Sequence, residues 1–138
     1  MSDKTFVDTN VLVYAQDAAD PEKQRRARDA LRLHADDLVL SAQVLSEFYV
    51  VVTRQLALPM HAEDAAAAVD HLCEHMVVPI DEHVVRDGID VSRAAQLSFW
   101  DGLIVAAARA GGCATILTED LATGSTIGGV RIENPFAA

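Results

Sequence analysis

Apolar residues along this chain fall into two registers. Five short runs, at Thr5–Val7, Leu38–Leu40, Met76–Ile80, Ala114–Leu117 and Val130–Glu133, are β-branched and nearly continuous in apolar character. Parallel strands covered on both faces read this way. Between them, apolar positions recur at the helical period. Val11–Ala18 is one such stretch, and Pro21–His34 is another, with Asp20 as its cap and Pro21 in its first turn. Gln43–Leu56 carries Val44, Leu45, Phe48, Val51, Val52 and Leu56 on one broad stripe. His61–Glu74 and Glu82–Gln96 follow, and Phe99–Ala110 runs into Gly111-Gly112, a helix stop. Strands alternating with helices predict an α/β fold: one domain, a parallel sheet of four to five strands, and helices on both faces through right-handed crossovers. No repeat, low-complexity tract or linker interrupts the pattern.

Composition narrows the class. A chain of 138 residues with 51% hydrophobic residues suits one domain with a real core and excludes disorder. No apolar run is long enough to span a bilayer, and Met1-Ser2-Asp3-Lys4 does not read as a signal peptide. Cys73 and Cys113 show no metal-ligand spacing. The expectation is a cytoplasmic protein with two reduced thiols and no membrane contact. A net charge of -10 is the wrong sign for gripping nucleic acid by bulk electrostatics. Either nucleic acid is not a partner, or the negative charge is concentrated where cations neutralise it. A basic partner protein is also invited.

Four acids stand where a polar pocket would need them. Asp8 ends the first apolar run and opens a helical pattern, so a strand delivers it to the carboxyl edge of the sheet, where open α/β folds bind ligands. Asp8, Thr9 or Asn10 can equally be no more than a helix cap. Glu47 falls beside Val44 and Val51, at the edge of the buried stripe. Asp101 opens a helix apolar on nearly every face, and Ser98 with Asp101 fits a capping box. Asp120 follows the run Thr115-Ile116-Leu117-Thr118, with Glu119 as an alternative acid or a helper acting through water. Like charges gathered this closely raise one another's pKa, and hard divalent ions such as Mg²⁺ relieve the repulsion with oxygen ligands.

Val-Asp8-Thr-Asn10-Val-Leu, Ser-Glu47-Phe, Asp101 before an alanine-rich helix, and Thr118-x-Asp120 together resemble the PIN domain. More narrowly, they are similar to the VapC-type ribonuclease toxins of bacterial toxin–antitoxin pairs, as is the ending Gly129-Val-Arg-Ile-Glu-Asn134-Pro135-Phe136. The resemblance covers essentially the whole chain. One departure is that Leu121-Ala122-Thr123 follow the last acid where an aromatic residue is common. The resemblance implies Mg²⁺- or Mn²⁺-dependent endoribonuclease activity on RNA, with Asp8, Asp101 and Asp120 as metal ligands. Glu47 would be a ligand or hold a metal-bound water, and Thr9 and Asn10 would support Asp8 or reach the scissile phosphate. Ser41 and Ser98 are weaker candidates of the same kind. The resemblance further implies an antitoxin partner with a basic segment, and a homodimer, for which helices such as Val44–Leu56 offer apolar surface.

Substrate grip needs positive charge. Arg25, Arg28 and Arg32 recur at helical spacing with Lys23 and Arg26 nearby, nearly half of the eleven Lys and Arg. They are candidates for RNA binding; a solvated helix face reads the same way. The histidines make no metal pair, since His71 and His75 are four apart without a third ligand. A haloacid-dehalogenase-like phosphatase would carry a second acid where Asn10 stands and a lysine later in the chain, whereas the lysines here are Lys4 and Lys23. A catalytically degenerate PIN module that only binds partners is the other alternative, against which the four retained acids argue.

Overall fold

The computed structural model describes residues 3–137, so Met1 and Ser2, half of the segment read as no signal peptide, lie outside the described residues. The chain runs β1 (Lys4–Val7), α1 (Thr9–Tyr14), α2 (Pro21–Leu33), β2 (Leu38–Ser41), α3 (Ala42–Arg54), α4 (Ala62–Leu72), β3 (Met76–Val78), α5 (Glu82–Ala95), α6 (Phe99–Ala110), β4 (Cys113–Leu117), β5 (Thr126–Ile127) and β6 (Val130–Glu133). The strands form one sheet in the order β3-β2-β1-β4-β6-β5, parallel except for β5.

Most boundaries follow local chemistry. Asp20 caps α2 through the Lys23 N–H at 3.2 Å, with Pro21 in the first turn where its missing N–H costs nothing. β3 ends at Val78 rather than Ile80, because Pro79 has no N–H for the ladder. α1 ends at Tyr14, short of Ala18: the Gln16 N–H turns back to the Val13 carbonyl and the Asp17 N–H to the Tyr14 carbonyl, a tightened last turn. The expectation of four to five strands falls one short. β5 pairs antiparallel with β6 across Gly128-Gly129, whose φ angles of 58° and 84° make the two-residue turn that suits strand twist. A two-residue strand is too short to show a period in the sequence.

Helices cover both faces. The crossovers through α1–α2 and α3–α4 step from β1 to β2 to β3, whereas α5–α6 steps back to β4 on the far side of β1. Right-handed connections that move in opposite directions lie on opposite faces. The core sits where these layers meet, with Phe6, Leu40, Phe48, Ile116 and Ile132 fully buried. The reversal of strand order between β1 and β4 opens a crevice at their carboxyl ends. Asp8 follows the first of these strands and Thr118 the second.

α6 is the central helix, buried from Gly102 to Ala108 and packed on β2, β4, β6 and α5. Its start is seated by two glycines. A Cβ on Gly102 would fall 2.5 Å from the Gly88 carbonyl oxygen and 2.8 Å from the Ser92 Cβ. Backbone contact at this point sets the height of the first turn of α6, and with it Asp101.

Gly102→Ala therefore tests the crossing. Helix propensity alone favours alanine by about 1 kcal/mol. The clash with backbone outweighs it, and the net expectation is a loss of about 1–3 kcal/mol, seen as a fall of several degrees in melting temperature. An equal or higher melting temperature by circular dichroism would show that α5 and α6 do not approach so closely.

Candidate active site

Asp8 is both cap and pocket residue. β1 ends at Val7, but the Asp8 N–H still donates to the Leu117 carbonyl at 3.0 Å, which ties the two strand ends together. Its extended backbone turns the side chain onto the start of α1, and Oδ1 accepts from the Thr9 N–H at 2.7 Å. Oδ2 accepts from the Thr118 hydroxyl at 2.9 Å. The residue is 6% exposed. Burial, above all, pushes its carboxyl up from an ordinary 3.8 to about 6, and the Asp120 and Glu47 carboxylates push the same way against the bonds from Thr118 and Thr9.

Asn10 gathers the rest. Its Nδ2 donates to the Thr118 Oγ1 and to the Asp120 Oδ2, both at 3.1 Å, with Asp8 Oδ2 at the long distance of 3.5 Å. Its Oδ1 accepts from the Glu119 N–H at 3.3 Å, so the amide has one consistent orientation. On α3, Glu47 takes the Thr9 hydroxyl on Oε2 at 3.0 Å and the Gln43 amide on Oε1 at 2.9 Å. The Gln43 Oε1 is left buried with no partner among the described residues. Asp8, Glu47 and Asp120 thus share one hydrogen-bonded network through Thr9, Asn10 and Thr118.

Asp101 lies on the same edge of the sheet. α6 runs back along β4, so its first turn stands level with the end of that strand. The Asp101 N–H donates to the Ser98 hydroxyl at 3.1 Å, which makes Ser98 the α6 cap. The Asp101 side chain takes no part in the Asp8 network. Ser41, fully buried, is likewise a cap, accepting the Val44 N–H at 3.3 Å. Glu119 points away from the other acids: its carboxylate meets the Lys23 Nζ at 2.9 Å and the Tyr14 hydroxyl at 2.8 Å.

The arginines of α2 mostly engage their own helix. Arg25 pairs with Glu22 and Asp29, and Arg32 lies 3.6 Å from Asp29. Arg28 donates from Nε to the Ala15 carbonyl at 2.8 Å. The thiols are free, Cys73 exposed and Cys113 buried.

Among the described residues, no ion pair reaches Asp8, Glu47, Asp101 or Asp120, while Glu22, Asp29, Asp87, Glu119 and Glu133 all have cationic neighbours. A donor set made only of carboxylate oxygens without a protein cation fits a hard divalent ion. No three His, Cys, Asp or Glu side chains among the described residues stand close enough to share one ion.

Sequence reasoning missed the roles of Thr118 and Gln43. A hydroxyl residue between an apolar strand and an acid is the signal that marks Thr118, fully buried between β4 and Asp120. Gln43, four residues before Glu47, is found only by its helical spacing.

Asp8→Asn should stabilise the metal-free protein. The folded-state pKa lies above the unfolded value. The penalty for ionised Asp8 is therefore absent below about pH 4, grows between about pH 4 and 6, and is complete above, at about 3 kcal/mol. Asparagine forfeits part of the Thr118 and Thr9 bonding, which leaves a net gain of about 1 kcal/mol at neutral pH. Melting curves in EDTA should place the variant above wild type at pH 7 and let it fall to or below wild type toward pH 4, where the penalty is gone and only the forfeited bonding remains. A variant that melts lower at pH 7 would mean that its hydrogen bonds matter more than its buried charge.

Comparison with known proteins shows the family and the fold. The PIN domain model matches residues 5–122. A toxin–antitoxin complex from Klebsiella pneumoniae superposes with a TM-score of 0.75 at 16% identity, covering 98% of this chain and 100% of that one. The DNA-bound VapBC of Salmonella typhimurium gives a TM-score of 0.66 at 20% identity, over 97% and 99%. VapC20 of Mycobacterium tuberculosis, a sarcin–ricin loop cleaving toxin, gives 0.65 at 18% identity, over 82% and 87%. Curated protein sequences give no match. With a family model spanning both strand-end acids and most of the sheet, the chain belongs to the PIN domain family.

Proposed function

We propose that this protein is a metal-dependent endoribonuclease, acting in the cytoplasm as the toxin of a VapC-type toxin–antitoxin pair. The observation that carries the reading is Asp8, a buried carboxylate that adjoins the Asp120 and Glu47 charges with no cationic neighbour. Buried like charges cost stability, and a fold that keeps them gains from importing a cation. Membership of the PIN family and the likeness to toxin structures support the same chemistry.

Asp8, Asp101 and Asp120 would hold Mg²⁺ or Mn²⁺, with Glu47 joining directly or through water. When bound, such an ion stabilises phosphoryl oxygens as a Lewis acid and lowers the pKa of the attacking water. The protein's own part is positioning. Thr9 and Gln43 fix the two Glu47 oxygens, the Thr9 N–H and Thr118 hydroxyl fix those of Asp8, and Asn10 holds Asp120 toward Asp8. Arg25, Arg28 and Arg32 are candidates to bind RNA phosphates. Arg25 and Arg32 would exchange exposed pairs worth at most about 1 kcal/mol. One observation favours a second reading, a degenerate PIN module that binds without cutting: no three ligating side chains among the described residues are within common reach of one ion. Thermal stabilisation by Mg²⁺ or Mn²⁺ separates the two, since a binding module has no reason to respond.

Cleavage of RNA in Mg²⁺ or Mn²⁺ should be lost on Asp8→Asn or Asp101→Asn. Removing about 3 kcal/mol of transition-state stabilisation is already more than a hundredfold in rate. Near-normal cutting of the same RNA by either variant would show that the site is wrongly assigned.

The protein should also be a homodimer that takes an Arg-bearing antitoxin segment into the acidic pocket. Tyr49 and Val50 on α3, with Leu58 just beyond it, leave apolar surface exposed, and the net charge favours a cationic partner. Light scattering at tens of micromolar checks the dimer, and a monomer would refute it. Charge reversal of the partner's arginines should abolish inhibition; retained inhibition would refute the docking mode.

A further inference from the structure

Lys23 is the basic residue of α2 whose ion pair leaves its own element. The other pairs of that helix join residues three or four apart, whereas Lys23 reaches Glu119, beyond the end of β4, at 2.9 Å. The same Nζ lies 3.1 Å from the Tyr14 hydroxyl, which in turn donates to the other Glu119 oxygen at 2.8 Å. It also stands over two aromatic rings, 4.5 Å from the Tyr14 centroid and 5.4 Å from that of Phe136. The rings meet edge to face at 4.9 Å. Both Glu119 oxygens are thus held, in a half-buried setting where pairing counts for more than on the open surface.

Glu119 is the middle residue of a three-residue span whose neighbours both serve the site. Thr118 donates to Asp8, and Asp120 accepts from Asn10. The Glu119 N–H donates to the Asn10 Oδ1, and that bond decides which end of the Asn10 amide faces the acids. Turned over, Asn10 would aim its oxygen at Asp120 and Thr118, and the Nδ2 bonds to both would be lost. Tyr14 lies one helical turn below Asn10 on α1, so the lock on Glu119 and the amide it orients share one face of that helix.

We propose that Lys23, acting with Tyr14 through Glu119, is a positioning residue for the nuclease site. It neutralises Glu119, whose side chain stays out of the pocket, and it holds the 118–120 span so that Asn10 presents its amide nitrogen to Thr118 and Asp120. This rests on the nuclease reading above. Lys23 is raised further from its ordinary pKa, first by the Glu119 bond and then by Tyr14, and stays charged at neutral pH.

Lys23→Met keeps the stem on the rings and removes the charge. In the metal-free protein, the side-chain amide of Asn10, assigned by its loss in Asn10→Asp, should give one sharp, exchange-protected pair of NMR signals. In Lys23→Met the pair should broaden or move to the position of a free asparagine. With RNA and Mg²⁺ or Mn²⁺, kcat should fall about tenfold or more while KM stays within about twofold, since a misplaced group costs rate rather than binding. Lys23→Arg should restore most of the rate. Tyr14→Phe, which deletes one of the two bonds to Glu119 and keeps the ring, should move the same signal and lower kcat about threefold. It carries the test if Lys23→Met does not fold. A purely structural lock predicts a lower melting temperature with the Asn10 signals and the kcat of the folded protein unchanged, and that result in either folded variant would overturn the proposal. If wild type cuts no RNA but the Asn10 signal still responds to Lys23, the nuclease reading fails and the positioning role stands.

Discussion

The Asp8 carboxylate is withdrawn from water between two parallel strand ends, and the surrounding structure is arranged to tolerate it. Its N–H closes the gap to β4 at Leu117, and its two oxygens are occupied from both sides, by the start of α1 and by the end of β4. Such a group is costly in an apolar layer unless it is hydrogen-bonded, and even then part of the cost remains in its raised pKa. The same bonds that make burial possible also fix the direction in which the charge points. Stability and preorganisation at this edge are thus two consequences of one arrangement.

From Asp8 the constraint spreads outward in layers of decreasing burial. Thr118 is fully buried, Asn10 and Glu47 are half-buried, and Asp120 is exposed. Under the proposed function, Asp120 is the member with room to shift toward a cation or phosphate, while the more buried groups are held in place. Asp101 reaches the same edge by a different route. It depends on the height of α6, which is set by glycine backbone meeting backbone at Gly88 and Gly102 rather than by hydrogen bonds to the other acids. The proposed site therefore draws on helix packing for Asp101 and on strand-end chemistry for Asp8 and Asp120.

Acidic composition takes on a local meaning in this fold. The charge of -10 is not spread evenly in its effect: α2 neutralises Glu22 and Asp29 with its own arginines, Lys23 takes up Glu119, and Arg109 faces Asp87. Asp8, Glu47, Asp101 and Asp120 have no cationic neighbour among the described residues, and of these Asp8 is the one that is also buried. Bulk charge argues against a nucleic-acid partner, whereas this distribution accommodates one wherever a cation stands between carboxylate and phosphate.

The sequence by itself determined the α/β order, the placement of five of the six strands, the Asp20 cap and the two strand-end acids. Each rests on local chemistry: apolar period, a proline, a capping side chain, a polar residue that ends an apolar run. It also determined the family, through four weak motifs in the right order. Tertiary structure decided what depends on residues far apart in the chain. The turning of Glu119 toward Lys23, 96 positions earlier, was not visible in the sequence, which leaves Glu119 and Asp120 alike. The partner of Asn10, the hydroxyl of Thr118 beneath Asp8 and the Gly88–Gly102 contact were invisible for the same reason. Local preferences set the elements, but which side chains meet at a sheet edge follows only from how the strands are ordered across it.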